Sequence, residues 1–201
     1  MNRRVWAGRA ALFVAYQYAR AQVIEYVSNG MKYQTLTRSG VTVIFTHLPQ
    51  RLHEYTSIQA AISNGSESPY VIRPEDFTYV RNDGTVVKAV SATTVIDMLM
   101  QKGNGEDVRK LVTTYEASVY GNPHFKSNNG YEARRQNALA MNGSKLRAAT
   151  AASAIALVTT KLKSGDTTDG AIFFASEGKP LVGGKVVVRT NTDTFEFNTE
   201  P

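Results

Sequence analysis

The alternation of apolar and polar positions divides the chain from residue 22 onward into strand-like, helix-like and again strand-like thirds. In KYQTLTRSGVTVIF, Lys32 to Phe45, β-branched and aromatic residues stand on both sides of Arg38-Ser39-Gly40, which predicts two strands joined by a turn. Ile58, Ala60 and Ile62 alternate with polar residues up to Asn64-Gly65-Ser66, the period of a strand with one buried and one wet face. Phe77 to Val80 and Thr85 to Val90 flank Asn82-Asp83-Gly84, where Asp-Gly tolerates the positive φ of a tight hairpin turn.

In the middle third the period becomes helical. Val95, Met98, Leu99 and Lys102 ahead of Gly103 predict a short helix, with the glycine as its left-handed stop. In EDVRKLVTTYEASVY, Val108, Leu111, Val112, Tyr115 and Val119 recur at spacings of three and four and line one face of a second helix. GNPHFKSNNG, Gly121 to Gly130, is too rich in turn formers to be helix or strand. A third helix is predicted from Tyr131 to Met141 and a fourth from Ser144 to Lys163, with Leu146, Leu157, Val158 and Leu162 as its large anchors and many small residues suited to close helix packing. Strand character returns with Ala171 to Phe174, Lys185 to Thr190 and Thr194 to Phe197, and the unbroken apolar run around Val186-Val187-Val188 reads as a central strand.

About seven short strands around a helical excursion predict an α+β fold, an antiparallel β-sandwich whose last strands complete its first sheet. The helices at about 92–163 are then an α-helical insertion between the first and last groups of strands, and residues 22–201 form one domain.

AISNGSESPYVIRPEDFTYVRNDGTVVKA, Ala61 to Ala89, together with the closing GAIFFASEGKPLVGGKVVVRTNTDTFEF, resembles the secreted immunoglobulin-like domains of unknown function found in bacterial envelope proteins. The shared features are a strand ending in a small polar turn, a proline-containing bend, a Phe-bearing strand with a "DG" hairpin, and a "G-x-x-F-F" strand ahead of the last sheet. The likeness covers roughly residues 30 to 90 and 165 to 198, and the helical stretch departs from it. It implies an immunoglobulin-like fold and brings no catalytic residue with it.

The start of the chain alters the charge picture. Arg3, Arg4 and Arg9 precede a short apolar run, Ala10 to Tyr18, that closes on Ala19-Arg20-Ala21, the three parts of a secretory signal peptide cleaved after Ala21. Arg3-Arg4-Val5-Trp6 leaves twin-arginine export open beside the general route, and an amphipathic first helix of a cytoplasmic protein is the competing reading. The run is about half of the roughly 20 apolar residues that a membrane span needs, so no permanent anchor is expected. Cleavage would remove four arginines, taking 23 basic residues to 19 against 17 acidic ones and the net charge from +6 to +2. Nucleic acid thereby becomes an improbable partner, and a periplasmic or extracellular location is the expectation. The chain has no cysteine, which excludes disulfides, thiolate metal sites and a thiol nucleophile.

His47 and His53, six apart around Leu48-Pro49, lack the spacing that presents two imidazoles to one metal and read as a strand-to-strand turn. No nucleophile elbow, phosphate loop or H-E-x-x-H motif occurs. Glu75-Asp76 reads as a solvated bend after Pro74, and Asn64-Gly65-Ser66 and Asn142-Gly143-Ser144 match the N-glycosylation pattern but read as turns. No metal or cofactor is expected.

The basic surplus is uneven. Residues 91 to 163 hold ten basic and five acidic residues, against nine and twelve in 22–90 and 164–201 together. His124, Lys126, Tyr131, Arg134 and Arg135 cluster in and after the glycine-rich linker, the candidate binding residues for an anionic polymer or an acidic partner. The alternative is a solvated helix face whose arginines pair with Glu132. Taken together, the expectation is an exported, non-enzymatic interaction or structural module contacting an unknown protein or envelope polymer. The alternatives are a hydrolase of cell-wall or polysaccharide material, using carboxylates such as Glu116 or Glu132, and an anionic-glycan binder.

Overall fold

The computed structural model describes residues 22–126, 129–177 and 179–199. Residues 1–21, on which the export segment and its cleavage after Ala21 are read, lie outside the described residues. Four strands open the fold as an antiparallel meander: β1 (Ile24–Ser28), β2 (Met31–Arg38), β3 (Val41–Leu52) and β4 (Tyr55–Asn64). Ser39 and Gly40 both have positive φ, 49° and 80°, the mirror-image turn that suits strand twist. The short β5 (Tyr70–Ile72) and a 3-10 turn at Pro74–Asp76 lead into the hairpin of β6 (Phe77–Arg81) and β7 (Val86–Val90). That hairpin turns where the sequence places it, with Asp83 Oδ1 accepting from the Thr85 amide and Gly84 at φ 84°.

Four helices follow among the described residues: α1 (Ala92–Lys102), α2 (Gly105–Tyr120), α3 (Tyr131–Leu139) and α4 (Ser144–Ile155). The chain then closes with β8 (Thr160–Leu162), β9 (Thr167–Ala175), β10 (Gly184–Arg189) and β11 (Thr194–Thr199). Nine strands form one mostly antiparallel sheet in the order β1-β2-β3-β4-β9-β7-β6-β10-β11, and β5 pairs with β8. The late strand β9 therefore sits between the early strands β4 and β7, and β10 is internal, flanked by β6 and β11.

The sheet curls until its ends approach. Phe45 on β3 meets Phe197 on β11 at 5.5 Å between ring centroids, and Gln34 Nε2 on β2 donates to the Asn198 carbonyl at 2.8 Å. The two-residue period of the strands then sorts side chains into two cores. Ile58, Ile62, Ile172 and Phe174 join Phe77, Val186 and Phe195 inside the curl. Tyr55, Ala171 and Phe173 point the other way and are covered by the helices. β4 is consequently buried on both faces, where the alternation around Ile58 predicts one wet face, because the helical layer covers the side that carries its polar residues.

α4 is the centre of the helical layer and packs on α1, α2 and α3. Its alanines 148, 149, 151, 152 and 154 are buried, so the small residues allow close approach of the neighbouring helices. Two local expectations are corrected. Gly103 ends α1 in extended backbone at φ −64°, not left-handed; glycine is required because a Cβ there would lie 2.5 Å from the Leu99 carbonyl oxygen. α4 ends at Ile155 and not at Lys163, and Leu157 and Leu162 belong to the core inside the curled sheet. The Leu157 amide donates to the Ala171 carbonyl at 2.9 Å, and the β-branched run Val158-Thr159-Thr160 favours the extended chain that becomes β8. Gly170 on β9 makes this passage possible, since a Cβ there would lie 2.4 Å from the Leu157 backbone.

Candidate functional site

The polar centre of the molecule lies where β9, α2 and the linker of residues 121–130 converge. Asp169 projects from β9 on the same side as Ala171 and is 4% exposed. Tyr115, on the apolar face of α2, donates its hydroxyl to Asp169 Oδ2. Asn129 Nδ2 donates to Asp169 Oδ1 at 2.8 Å and to the Asp169 carbonyl at 2.9 Å, while Asn129 Oδ1 accepts from the Tyr131 amide and starts α3. A buried carboxylate needs such donors, because an ionised group without them bears the whole desolvation cost.

The network continues outward from Tyr131. Its ring packs on Tyr115 at 4.9 Å, and its hydroxyl donates to Glu116 Oε1 at 3.1 Å. Arg135 pairs with the same Glu116 and lies 3.7 Å from Glu132, which in turn accepts from Tyr120 at 3.2 Å. Arg134 turns the other way, donating from Nε to the Ala154 carbonyl near the end of α4 at 3.1 Å and from Nη1 to the Asn129 carbonyl. Beside these groups runs a polar groove of about 520 Å³ whose lining includes Asn129, Arg134, Lys161, Asp166, Thr168 and Asp169.

The electrostatics keep the phenols protonated. Burial pushes the Tyr115 hydroxyl far above its ordinary range, and the neighbouring Asp169 carboxylate adds to the shift. Burial and then Glu116 do the same to Tyr131. Both rings thus act as permanent hydrogen-bond donors to carboxylates near neutral pH. In chemical terms the cluster joins helix to strand and positions the wall of a groove.

Of the five residues that the sequence singles out, Tyr131, Arg134 and Arg135 come together here. Arg135 takes the pairing with Glu132 that the solvated-face reading foresaw, and Glu116 as well. His124 and Lys126 lie earlier in the linker, His124 against β1 and Lys126 against Thr167, a residue of the groove wall. The His124 ring meets Tyr26 edge-on at 5.0 Å, and Tyr26 stacks on Tyr33 at 5.1 Å. The Lys126 carbonyl accepts from Thr167 Oγ1, and its side chain is exposed. Asp169, Tyr115 and Asn129 escape a sequence reading, although Asp169 is the lone charge in its strand and Tyr115 carries a hydroxyl on an otherwise apolar helical face.

The histidines of the β3–β4 hairpin are used separately. His53 Nε2 lies 3.0 Å from Asp107 Oδ2 and Glu54 pairs with Lys102, which fastens the hairpin tip to the helical layer. His47 lies in the wall of a cavity considered below. Asp76 accepts from the Arg73 amide and stiffens the bend after Pro74. Asn64 is buried and binds Ser66, Ser68 and the Leu162 carbonyl, so it holds a turn. Among the described residues, no three His, Asp or Glu side chains lie close enough to hold a metal ion, and no helix is long and apolar enough to cross a membrane.

Comparison with protein-family models, curated proteins and solved structures finds no match to this chain.

Proposed function

We propose that the protein is an exported interaction or structural module of the cell envelope: an immunoglobulin-like sandwich whose helical insertion, residues 92–163, supplies the contact surface. The observation that carries this reading is the use made of the polar groups on and near the helices. Asp169, Tyr115, Tyr131, Glu116 and Arg135 are engaged with one another and fasten the helical layer to β9. The same helices leave large apolar side chains in solvent: Met100, Leu139, Leu146 and Tyr120, the last 64% exposed. Exposed aromatic and Met side chains on a rigid scaffold are residue types in which protein contact surfaces are enriched. The core enclosed by the curled sheet supports the sandwich reading, and the signal-like first 21 residues support export.

The test places a photo-crosslinking residue at Tyr120, at Leu146 and, as a sheet control, at Val86, with the full chain expressed in its native cell. Adducts of one partner from the two helical sites, with the mature chain beginning at Gln22 in the envelope fraction, are expected. Adducts from Val86 alone would overturn the role of the helices, and an intact Met1 in the cytoplasm would overturn export.

A further inference from the structure

The inside of the curled sheet is mostly apolar, and inner-face polar groups such as Asn64, Thr56 and Ser176 are hydrogen-bonded to one another or to the chain. At one end, beside the junction of β2 and β3 with β11, Gln34 and His47 flank Phe45, and a cavity of about 240 Å³ opens between Met31, Phe45, Pro49, Val182 and Asn198. Two polar atoms of this lining, Gln34 Oε1 and His47 Nε2, are covered from solvent and have no hydrogen-bond partner among the described residues. The orientation of Gln34 is determined by its surroundings. Its amide nitrogen donates to Glu25 Oε1 and to the Asn198 carbonyl, both acceptors, so the carbonyl oxygen is the atom left over. Gln34 is 4% exposed, and native proteins leave few acceptors so deeply buried without a partner.

Size and charge narrow the occupant. The cavity is several times the volume of about 30 Å³ that one water takes in the liquid, and falls below the range of about 300–1,000 Å³ typical of drug-sized pockets. A second space of about 140 Å³ shares His47, Pro49 and Val182 with it and continues toward Thr56 and Ser57. Lys32 is the charged side chain of the lining, and a carboxylate outside the lining offsets it. Lys32 is paired with Glu25 at 2.9 Å, and burial lowers the His47 pKa to about 4, leaving its ring neutral. β3 shifts register between Leu48 and Leu52, beside the cavity, a strand irregularity that commonly re-aims side chains at sites.

We propose that this end of the curled sheet binds a neutral, hydroxylated small molecule of single-sugar size, which lays its C–H face on Pro49 and Val182 and donates a hydroxyl hydrogen to Gln34 Oε1 as the side chains covering that atom give way. A hydroxyl both donates and accepts, so it satisfies the His47 nitrogen in either tautomer. An anion brings no proton for the orphan oxygen of Gln34, and a cation would face Lys32. No helical residue lines the cavity, so the site stands apart from the role given to the helices.

The experiment is an amide NMR titration of the full chain with methyl β-D-glucopyranoside, with sodium acetate and tetramethylammonium chloride as charged probes. Saturable shifts around Gln34, His47 and Asn198 with the glucoside, absent with the charged probes, are expected. Gln34→Leu should weaken the glucoside at least tenfold. Val182→Trp, at a position 47% exposed and able to fill the mouth without entering the core, should abolish binding while leaving the rest of the spectrum in place, and it decides the matter if Gln34→Leu fails to fold. No saturable shift with the glucoside, shifts that persist in Val182→Trp, or tighter binding of acetate or tetramethylammonium at these residues would each overturn the proposal.

Discussion

Tyr115 and Asp169, 54 residues apart in sequence, share a hydrogen bond that joins the middle of α2 to an internal strand of the sheet. Both side chains are almost fully covered, and the phenol is driven to keep its proton by burial and by the charge it faces. Removing the Tyr115 hydroxyl leaves the Asp169 carboxylate with Asn129 as its remaining side-chain donor, and removing Asp169 leaves the buried phenol without its acceptor. Tyr115→Phe should cost about 1.5–3 kcal/mol of unfolding free energy, the range for a hydrogen bond to a charged group. In urea unfolding, Tyr115→Phe combined with Asp169→Asn should cost less than the sum of the two single changes; additive losses would show that the two residues act independently.

Glycine at 170 is dictated by the chain that crosses it. A Cβ would meet the Leu157 backbone at 2.4 Å, so Gly170→Ala must push the segment after α4 away from β9. A loss of about 1–3 kcal/mol is expected, the usual cost of overpacking. Gly105, in the first turn of α2, has open space around its would-be Cβ, and Gly105→Ala should be neutral or stabilise by up to about 1 kcal/mol. Thermal unfolding of the two variants checks the contrast.

Asp107 serves two masters at the start of α2. Its carboxylate accepts from the Asn104 amide at 2.9 Å, closing a capping box, and it meets His53 of the β3–β4 turn. Asp107→Ala removes both and should cost about 1–2 kcal/mol or more, whereas His53→Ala removes only the partly exposed contact with the imidazole and should cost about 1 kcal/mol or less. Equal losses in chemical denaturation would show that the hairpin clamp, and not the cap, dominates.

Acid stability should report on His47. Its folded pKa is lowered to about 4 from 6.5 by burial, so the unfolded chain takes up the proton first as pH falls. The full stability is present above about pH 6.5 and declines as pH drops through about 4, by roughly 3 kcal/mol in all at 1.36 kcal/mol per pKa unit. His47→Gln should flatten that part of the pH profile of unfolding; an unchanged profile would place the titration elsewhere.

Much of the secondary structure is legible in the sequence because its causes are local. The Ser39-Gly40 and Asp83-Gly84 turns need positive φ or an Asx hydrogen bond within a few residues, and the apolar face of α2 follows from spacing alone. The end of α4 is not legible in this way. Helical propensity carries the alanine-rich pattern on toward Lys163, and what stops it is β9, which offers the Ala171 carbonyl to Leu157 across a glycine. The candidate site divides likewise. Arg134 and Arg135 attract attention through their charge, yet the groups they meet, the Ala154 carbonyl and Glu116, lie on other helices.

By itself, the sequence determined the two positive-φ turns, the central strands and the apolar face of α2, since those depend on neighbours along the chain. It also determined that the basic surplus falls on the stretch from 91 to 163. Tertiary structure alone decided that β9 enters between β4 and β7, and that Asp169 thereby becomes a buried anchor for two tyrosines and an asparagine. It alone decided that Gln34 and His47 meet at the open end of a curled sheet. The reason is physical: strand order and sheet curl come from long-range pairing and burial, and a polar residue's role depends on whether those pairings supply it with a partner.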